Sequence, residues 1–221
     1  MLTSTTVTLY DIAGRGRELL DNLLPGFTGW LMSDGWGAYR HLPRRLRCWA
    51  HLTRKAQGLI DSYDREARAF GRQVQNTFDT LMVAIYAARE GPPTDLAVIH
   101  AALLEALRVT CTRHLGHAHA KTHALAFELL NDWEAIFRVL QHPDLPLTNN
   151  AAERALRHWV IARRIMMGTR SDTGSRVFAL LASVIDTCRQ RGHTPWPYIA
   201  GVIAERRMGR IVAPLPQPIG L

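Results

Sequence analysis

No stretch of the chain approaches the roughly 20 consecutive apolar residues that a bilayer-spanning helix requires, and the N-terminus lacks the basic-then-apolar order of a secretory signal. These absences point to a cytoplasmic protein with no membrane partner. Cysteine is scarce: Cys48, Cys111 and Cys188 are odd in number and show no disulfide-framework spacing, which suits a reducing compartment. Acidic residues are outnumbered, 19 Asp and Glu against 27 Lys and Arg, leaving a net charge of +8. Such an excess raises affinity for phosphate backbones through counterion release, so it favours a polyanionic partner. No internal repeat is present. With 47% hydrophobic and 21% charged residues, the 221-residue chain reads as globular rather than disordered.

The opening third reads as α/β. TVTLYDIAGRGRELLDNLL starts with an alternating run that fits a strand, passes a Gly-containing turn and ends in a short amphipathic helix. FTGWLMSDGWGAYRHL follows as an apolar strand ending at Ser33 and Asp34, with Gly35 and Gly37 loosening the turn beyond. In RLRCWAHLTRKAQGLI a short buried strand, Leu46 to Trp49, leads into a helix. Ala67, Phe70, Val74, Phe78, Leu81, Met82 and Ile85 then recur at helical spacing until Gly91-Pro92-Pro93. Thr94 or Asp95 can cap a second helix through Leu107, and Phe127, Leu130, Trp133 and Phe137 continue the helical pattern to a break at His142-Pro143. Beyond LTNNAAERALR, Gly168 to Gly174 makes a loop and SRVFALLASVIDTCRQRG a strong amphipathic helix closed by Gly192. Thr194 as N-cap with Pro195 at the first position starts the last helix, and the Pro-rich tail VAPLPQPIGL is expected to be extended.

Two acids stand out. Asp34, at the carboxyl end of a buried strand and before small residues, is where α/β folds place a ligand for metal or substrate; it is equally placed to form an Asx turn with Gly35. Asn150 as N-cap with Glu153 three residues on is close to a capping box, which accounts for the glutamate but not for Arg154, Arg157, Arg163 and Arg164 crowding the same helix. A second basic run holds Arg44, Arg45, Arg47, Arg54 and Lys55 and suits a phosphate backbone, though a charge run is usually a solvated face. Cys48 and His51 form a C-x-x-H pair; a zinc site would need further ligands, for which His119 and His123 are candidates, and a Cys/His dyad at this spacing has poor geometry.

SDGWGAYRHL, CWAHLTRKAQGLI, LPLTNNAAERALRHWVIARRIMMGTRSDTGSRVFALLASVIDTCRQRG and PYIAGVI together resemble the IS66 family of bacterial insertion-sequence transposases. The resemblance covers both ends of the chain; the helical middle agrees in length and character more than in particular residues. It implies an α/β fold: an incomplete RNase H-like core with a large all-helical insertion and C-terminal helices. The segments would be 1–60 for the first part of the core, 61–145 for the insertion, 146–192 for the rest of the core and 193–221 for the last helix and tail. By matched position Asp34 resembles the second and Glu153 the third acid of an Asp-Asp-Glu triad that holds Mg²⁺ or Mn²⁺ for DNA strand cleavage and joining. Cys48 and His51 resemble a signature with an architectural or supporting role, Asn149 and Asn150 would start and hold the glutamate helix, and Arg154 and Arg157 would face phosphates or pair with the acids.

The family's first aspartate sits on a strand upstream of the segment that Thr6 to Tyr10 matches. Asp11 matches a position before a short Arg-containing turn, Gly14 to Arg17, and not that acid. The resemblance therefore implies a catalytically impaired fragment lacking one metal ligand and a central strand, whose neighbours would carry unpaired backbone groups. DNA, both transposon ends and target, is the implied partner, together with a second copy of the chain or the missing N-terminal part. The alternative is a non-catalytic DNA-binding or interaction module derived from a transposase.

Overall fold

A computed structural model describes residues 1–11, 17–92 and 94–219; the Gly14-to-Arg17 turn, Pro93 of the helix break and the last two residues of the tail fall wholly or partly outside them. In chain order the elements are β1 (Leu2–Thr3), β2 (Thr8–Leu9), α1 (Arg17–Leu23), β3 (Leu31–Ser33), β4 (Arg45–Arg47), α2 (Trp49–Ile60), α3 (Arg65–Glu90), α4 (Leu96–Ile99), α5 (Ala101–Arg113), α6 (Ala120–Asn131), α7 (Trp133–Phe137), α8 (Asn150–Ile165), α9 (Asp172–Gln190) and α10 (Pro195–Arg207). The protein is thus mostly helical with a few short strands. The chain divides into two compact units, one formed by Gly16–Asn149 and the other by Met1–Arg15 with Asn150–Leu221. No described helix is long and apolar enough to cross a membrane.

In the Gly16–Asn149 unit the core is helical. Trp49, Leu52, Ala56 and Leu59 of α2 pack with Phe70, Val74, Phe78, Leu81 and Ile85 of α3, and Leu107, Leu125 and Leu129 of α5 and α6 close the cluster. The 3.6-residue spacing of these apolar positions is what makes one face of each helix face inward. Trp49 anchors the centre: its ring meets Phe78 edge-on at 4.7 Å and its indole N–H donates to the Ile136 carbonyl at 2.9 Å. Thus 61–145 and α2 share one core, and no compact-unit boundary falls near residue 60. The short strands β3 and β4 pair in parallel, Leu31 with Arg45 and Ser33 with Arg47.

Several local expectations shift. The strand expected at Leu46 to Trp49 ends at Arg47, because Cys48 occupies the N-cap position of α2. Asp95 rather than Thr94 provides the cap, its carboxylate accepting from the Ala97 and Val98 amides, and the helix breaks at His100 into α4 and α5. Phe127, one of the residues of the helical pattern, is exposed.

In the second unit β1 and β2 form an antiparallel ladder. The edge of β2 is covered by side chains of α9: Ser183 Oγ accepts the Tyr10 N–H at 2.8 Å, and Thr187 Oγ1 accepts the Thr8 N–H at 3.2 Å and donates to the Thr8 carbonyl at 3.1 Å. Hydroxyls on a helix therefore satisfy backbone groups that a neighbouring strand would otherwise take. The strands form two separate two-stranded ladders among the described residues. After α10 the tail runs back along the α9–α10 turn, with the Ile219 N–H on the Arg191 carbonyl at 3.0 Å. Thr194 holds the N-cap position and Pro195 opens the helix, without a side-chain cap bond.

One glycine packed between α2 and α3 and one on the exposed face of α2 should respond oppositely to alanine. A Cβ on Gly71 of α3 would lie 2.7 Å from the Ala56 carbonyl oxygen and 2.9 Å from Leu59 Cβ, whereas one on Gly58 of α2 meets nothing within 4 Å. Gly71→Ala is expected to destabilise by about 1–3 kcal/mol and Gly58→Ala to stabilise by up to about 1 kcal/mol. Urea unfolding followed by tryptophan fluorescence measures both; equal shifts of the same sign would contradict the close packing of α2 on α3.

Candidate active site

Asp34 and its surroundings are built from the β3–β4 ladder. The pairing continues past the strands, since the Cys48 N–H donates to the Ser33 carbonyl at 2.8 Å, and Asp34 is the first residue to leave it. Its carboxylate is exposed, and Oδ1 accepts the Trp36 N–H at 3.2 Å, so the Asx turn is present. Gly35 has φ +109°, and a Cβ there would lie 2.3 Å from the Arg47 guanidinium. Only glycine allows the loop to rest on that group. Arg47 in turn donates to the Asp34 carbonyl at 3.2 Å. Tyr39, edge-on to Trp36 at 5.1 Å, has its hydroxyl pKa raised by burial and by the negative charge of Asp34.

Beneath the loop lies a buried ion cluster. Arg47 is 1% exposed and pairs with both Asp132 and Glu128; Arg45, 8% exposed, donates to Asp132 at 2.8 Å; Arg40 reaches the same carboxylate at 3.4 Å. Lys55 completes the array on Glu128 at 2.6 Å. Burial alone would push the Asp132 carboxyl up, but the Arg45 hydrogen bond and the charges of Arg45, Arg47 and Arg40 outweigh it and hold the group below the usual carboxylate range. This corrects the reading of Arg45 and Arg47 as DNA-contacting residues: both guanidinium groups are turned into the protein and paired with carboxylates. Arg44, Arg54 and Lys55 remain on the surface, with Arg44 also donating to the Thr28 carbonyl at 3.1 Å.

Cys48 is fully buried, and its Sγ accepts the Asn149 N–H at 3.5 Å, while the adjacent Trp49 N–H donates to the Leu147 carbonyl at 2.9 Å. These contacts fix Leu147 to Asn149 against the start of α2. His51 is part-buried on the first turn of α2. The other histidines stitch turns: His123 Nδ1 accepts the Gly116 N–H at 2.9 Å, and His119 Nδ1 lies 2.9 Å from the Thr122 hydroxyl.

Asp34 falls in the Gly16–Asn149 unit and Glu153 in the other. Helix α8 begins at Asn150 and carries the half-buried Glu153 in its first turn, where a carboxylate is favoured by the helix dipole. Arg154, Arg157, Arg163 and Arg164 are all exposed. The helix has no buried residue and is fastened instead by Asp186 of α9, which accepts from Trp159 Nε1 at 2.6 Å and from the Tyr10 hydroxyl at 2.8 Å. Burial and the Asp186 carboxylate raise the Tyr10 hydroxyl pKa. Sequence reasoning passed over Asp132, Asp186, Tyr10 and Trp159. The one available signal for Asp186 was a lone carboxylate inside the apolar stripe of VIDTC.

The family model described as Transposase IS66 family matches residues 2–177. The chain belongs to the IS66 transposase family. Three proteins of Sinorhizobium fredii are similar to this transposase-family chain, each called an uncharacterized protein. With y4jO it is 27% identical over 84% of this chain and 55% of that protein, and with y4qI 25% identical over 89% and 39%. With y4hP the identity is 38%, over 34% of this chain and 14% of the relative. The chain thus spans about half or less of these relatives' length. No solved structure matches it.

Replacing Asp132 by Asn would leave Arg45 and Arg47 buried without their counter-charge, at an expected cost of about 3–5 kcal/mol. Because the folded carboxyl has the lower pKa, its contribution is complete above its ordinary value of 3.8 and is lost as pH falls through the depressed folded value. The stability gap between the wild type and Asp132→Asn should therefore be constant near neutrality and shrink in acid. Denaturation midpoints at a series of pH values test this; a gap that widens in acid would contradict it.

Proposed function

We propose that this chain acts in magnesium-dependent cleavage and joining of DNA strands during transposition, with Asp34 and Glu153 as metal-holding acids of an RNase H-like core. The observation that carries the reading is the position of Asp34: an exposed carboxylate at the carboxyl end of a parallel strand, on a loop held from beneath by Arg47. In the reaction, water or a 3′-hydroxyl attacks the phosphorus in line and the bond to the departing oxygen breaks. When bound, two Mg²⁺ ions (or Mn²⁺) activate the attacker and stabilise the leaving oxygen. The carboxylates fit that group because such hard cations take oxygen ligands. Asn149, tied to Cys48, and Asn150, the first residue of α8, set the start of the glutamate helix. The exposed Arg154, Arg157, Arg163 and Arg164, with Arg44, Arg54 and Lys55, serve as phosphate contacts.

Within this reading Asp34 and Glu153 correspond to two of the family's three acids. The second reading is a DNA-binding module without catalysis, for which the exposed arginines of α8 suffice.

Plasmid nicking in the presence of Mg²⁺ separates the two. Weak nicking by the wild type that disappears in Asp34→Ala and in Glu153→Ala, with DNA affinity unchanged or raised, supports the catalytic reading. DNA binding with no nicking by the wild type supports the module.

A further inference from the structure

Next to the buried ion cluster, the Gly16–Asn149 unit has a solvent-open cavity of about 480 Å³ with a mostly polar wall. Four arginines line it, Arg40, Arg108 and Arg138 with the buried Arg45, against Asp132 and Glu134. The two acids do not balance the four cations. Asp132 is shared among Arg40, Arg45 and the fully buried Arg47, so its charge is already taken up. Glu134 is 87% exposed and touches only the edge of Arg138, at 3.5 Å.

The cations are also held in place. Arg108 lies over the Trp133 ring at 4.8 Å, a stacking that restricts a long side chain before any ligand arrives. Arg138 donates to the Pro43 carbonyl at 2.9 Å, and Arg45 is fixed by Asp132 at 2.8 Å. Planar guanidinium groups suit phosphate oxygens bidentately. The wall offers little apolar surface on which a base could be buried, and the face of Trp133 is already taken by Arg108. The feature of the ligand that this cavity can grip is therefore the phosphate group.

We propose that this cavity is a phosphate-binding site that takes a phosphodiester of bound DNA, built from the segment that follows Asp34 together with α5 and α7. It rests on DNA being the polymer that this family member handles, and it assigns Arg40 and Arg108 as phosphate-binding side chains. Both are exposed at the cavity rim, so their replacement spares the buried pairs of Arg45 and Arg47.

The test is fluorescence polarisation of a labelled duplex at several salt concentrations without Mg²⁺. It uses the wild type, Arg40→Gln, Arg108→Gln, the double variant, and Arg206→Gln on α10 as a charge control, with circular dichroism melts to confirm folding. The double variant should bind about tenfold more weakly, with the slope of log affinity against log salt reduced by about 0.9 for each phosphate no longer neutralised, while Arg206→Gln stays within about twofold. Unchanged affinity and slope in the double variant overturn the proposal, and an equal weakening in Arg206→Gln overturns it as a bulk-charge effect. Inorganic phosphate titrated into the same variants separates the sources: phosphate that raises the wild-type melting temperature only, with duplex affinity indifferent to both substitutions, indicates a small-anion site and overturns the DNA assignment. Loss of binding in the double variant alongside a wild type that never nicks would remove the proposed catalysis and leave this site standing.

Discussion

The pairing of Arg47 with Asp132 is the constraint on which the Gly16–Asn149 unit depends. Both residues are buried, Arg47 at 1% and Asp132 at 2% exposure, and burial of either charge requires a counter-charge beside it. Their pairing forces β4, which carries Arg47, against the junction of α6 and α7, which carries Asp132. Since β4 is the parallel partner of β3, the same pairing sets where β3 ends and the Asp34 loop begins. Gly35 is the local consequence, because any side chain there would collide with the guanidinium.

The other unit solves a similar problem around the Asp186 carboxylate. Helix α8 presents arginines and apolar residues to solvent and buries none of its own, so packing holds it weakly. Asp186 compensates by taking one donor from α8 and one from the residue after β2. Met167, at φ +59°, and Gly168, at φ +83°, then turn the chain after α8 toward α9. The hydroxyls of Ser183 and Thr187, one turn apart on α9, complete the seating of β2. An acid-bearing helix and a two-residue strand are thus positioned by three polar side chains of one helix.

Much of this was legible in the sequence wherever a period or a breaker carried the signal. The stripe from Ala67 to Ile85 gave α3, Gly192 and Pro195 bracketed the α9–α10 turn, and the Leu-Met-Ser run ended where β3 does. The illegible parts are those where polar residues do the work of core. Arg45 and Arg47 read as members of a basic surface because nothing local distinguishes a solvated arginine from one neutralised by a carboxylate 85 residues away. Asp132 and Asp186 were equally silent, since a long-range partner leaves no periodicity. The family was readable from TNNAAERALR and SDGWGAY. The proposed roles of Asp34 and Glu153 come from that likeness; the Asx turn that also explains Asp34 is present, whereas α8 starts at Asn150 itself, so Asn150 does not hold the N-cap position expected of it.

The proposed function has Asp34 and Glu153 serve one set of ions. Its most direct measurement is Mn²⁺ binding, by electron paramagnetic resonance, to the wild type, Asp34→Ala, Glu153→Ala and the double variant. A shared site predicts that each single substitution removes most of the bound Mn²⁺ and that the second removes little more, the non-additivity expected of groups acting on one ligand. Independent, additive losses, or a wild type whose Mn²⁺ binding ignores either acid, would contradict the account.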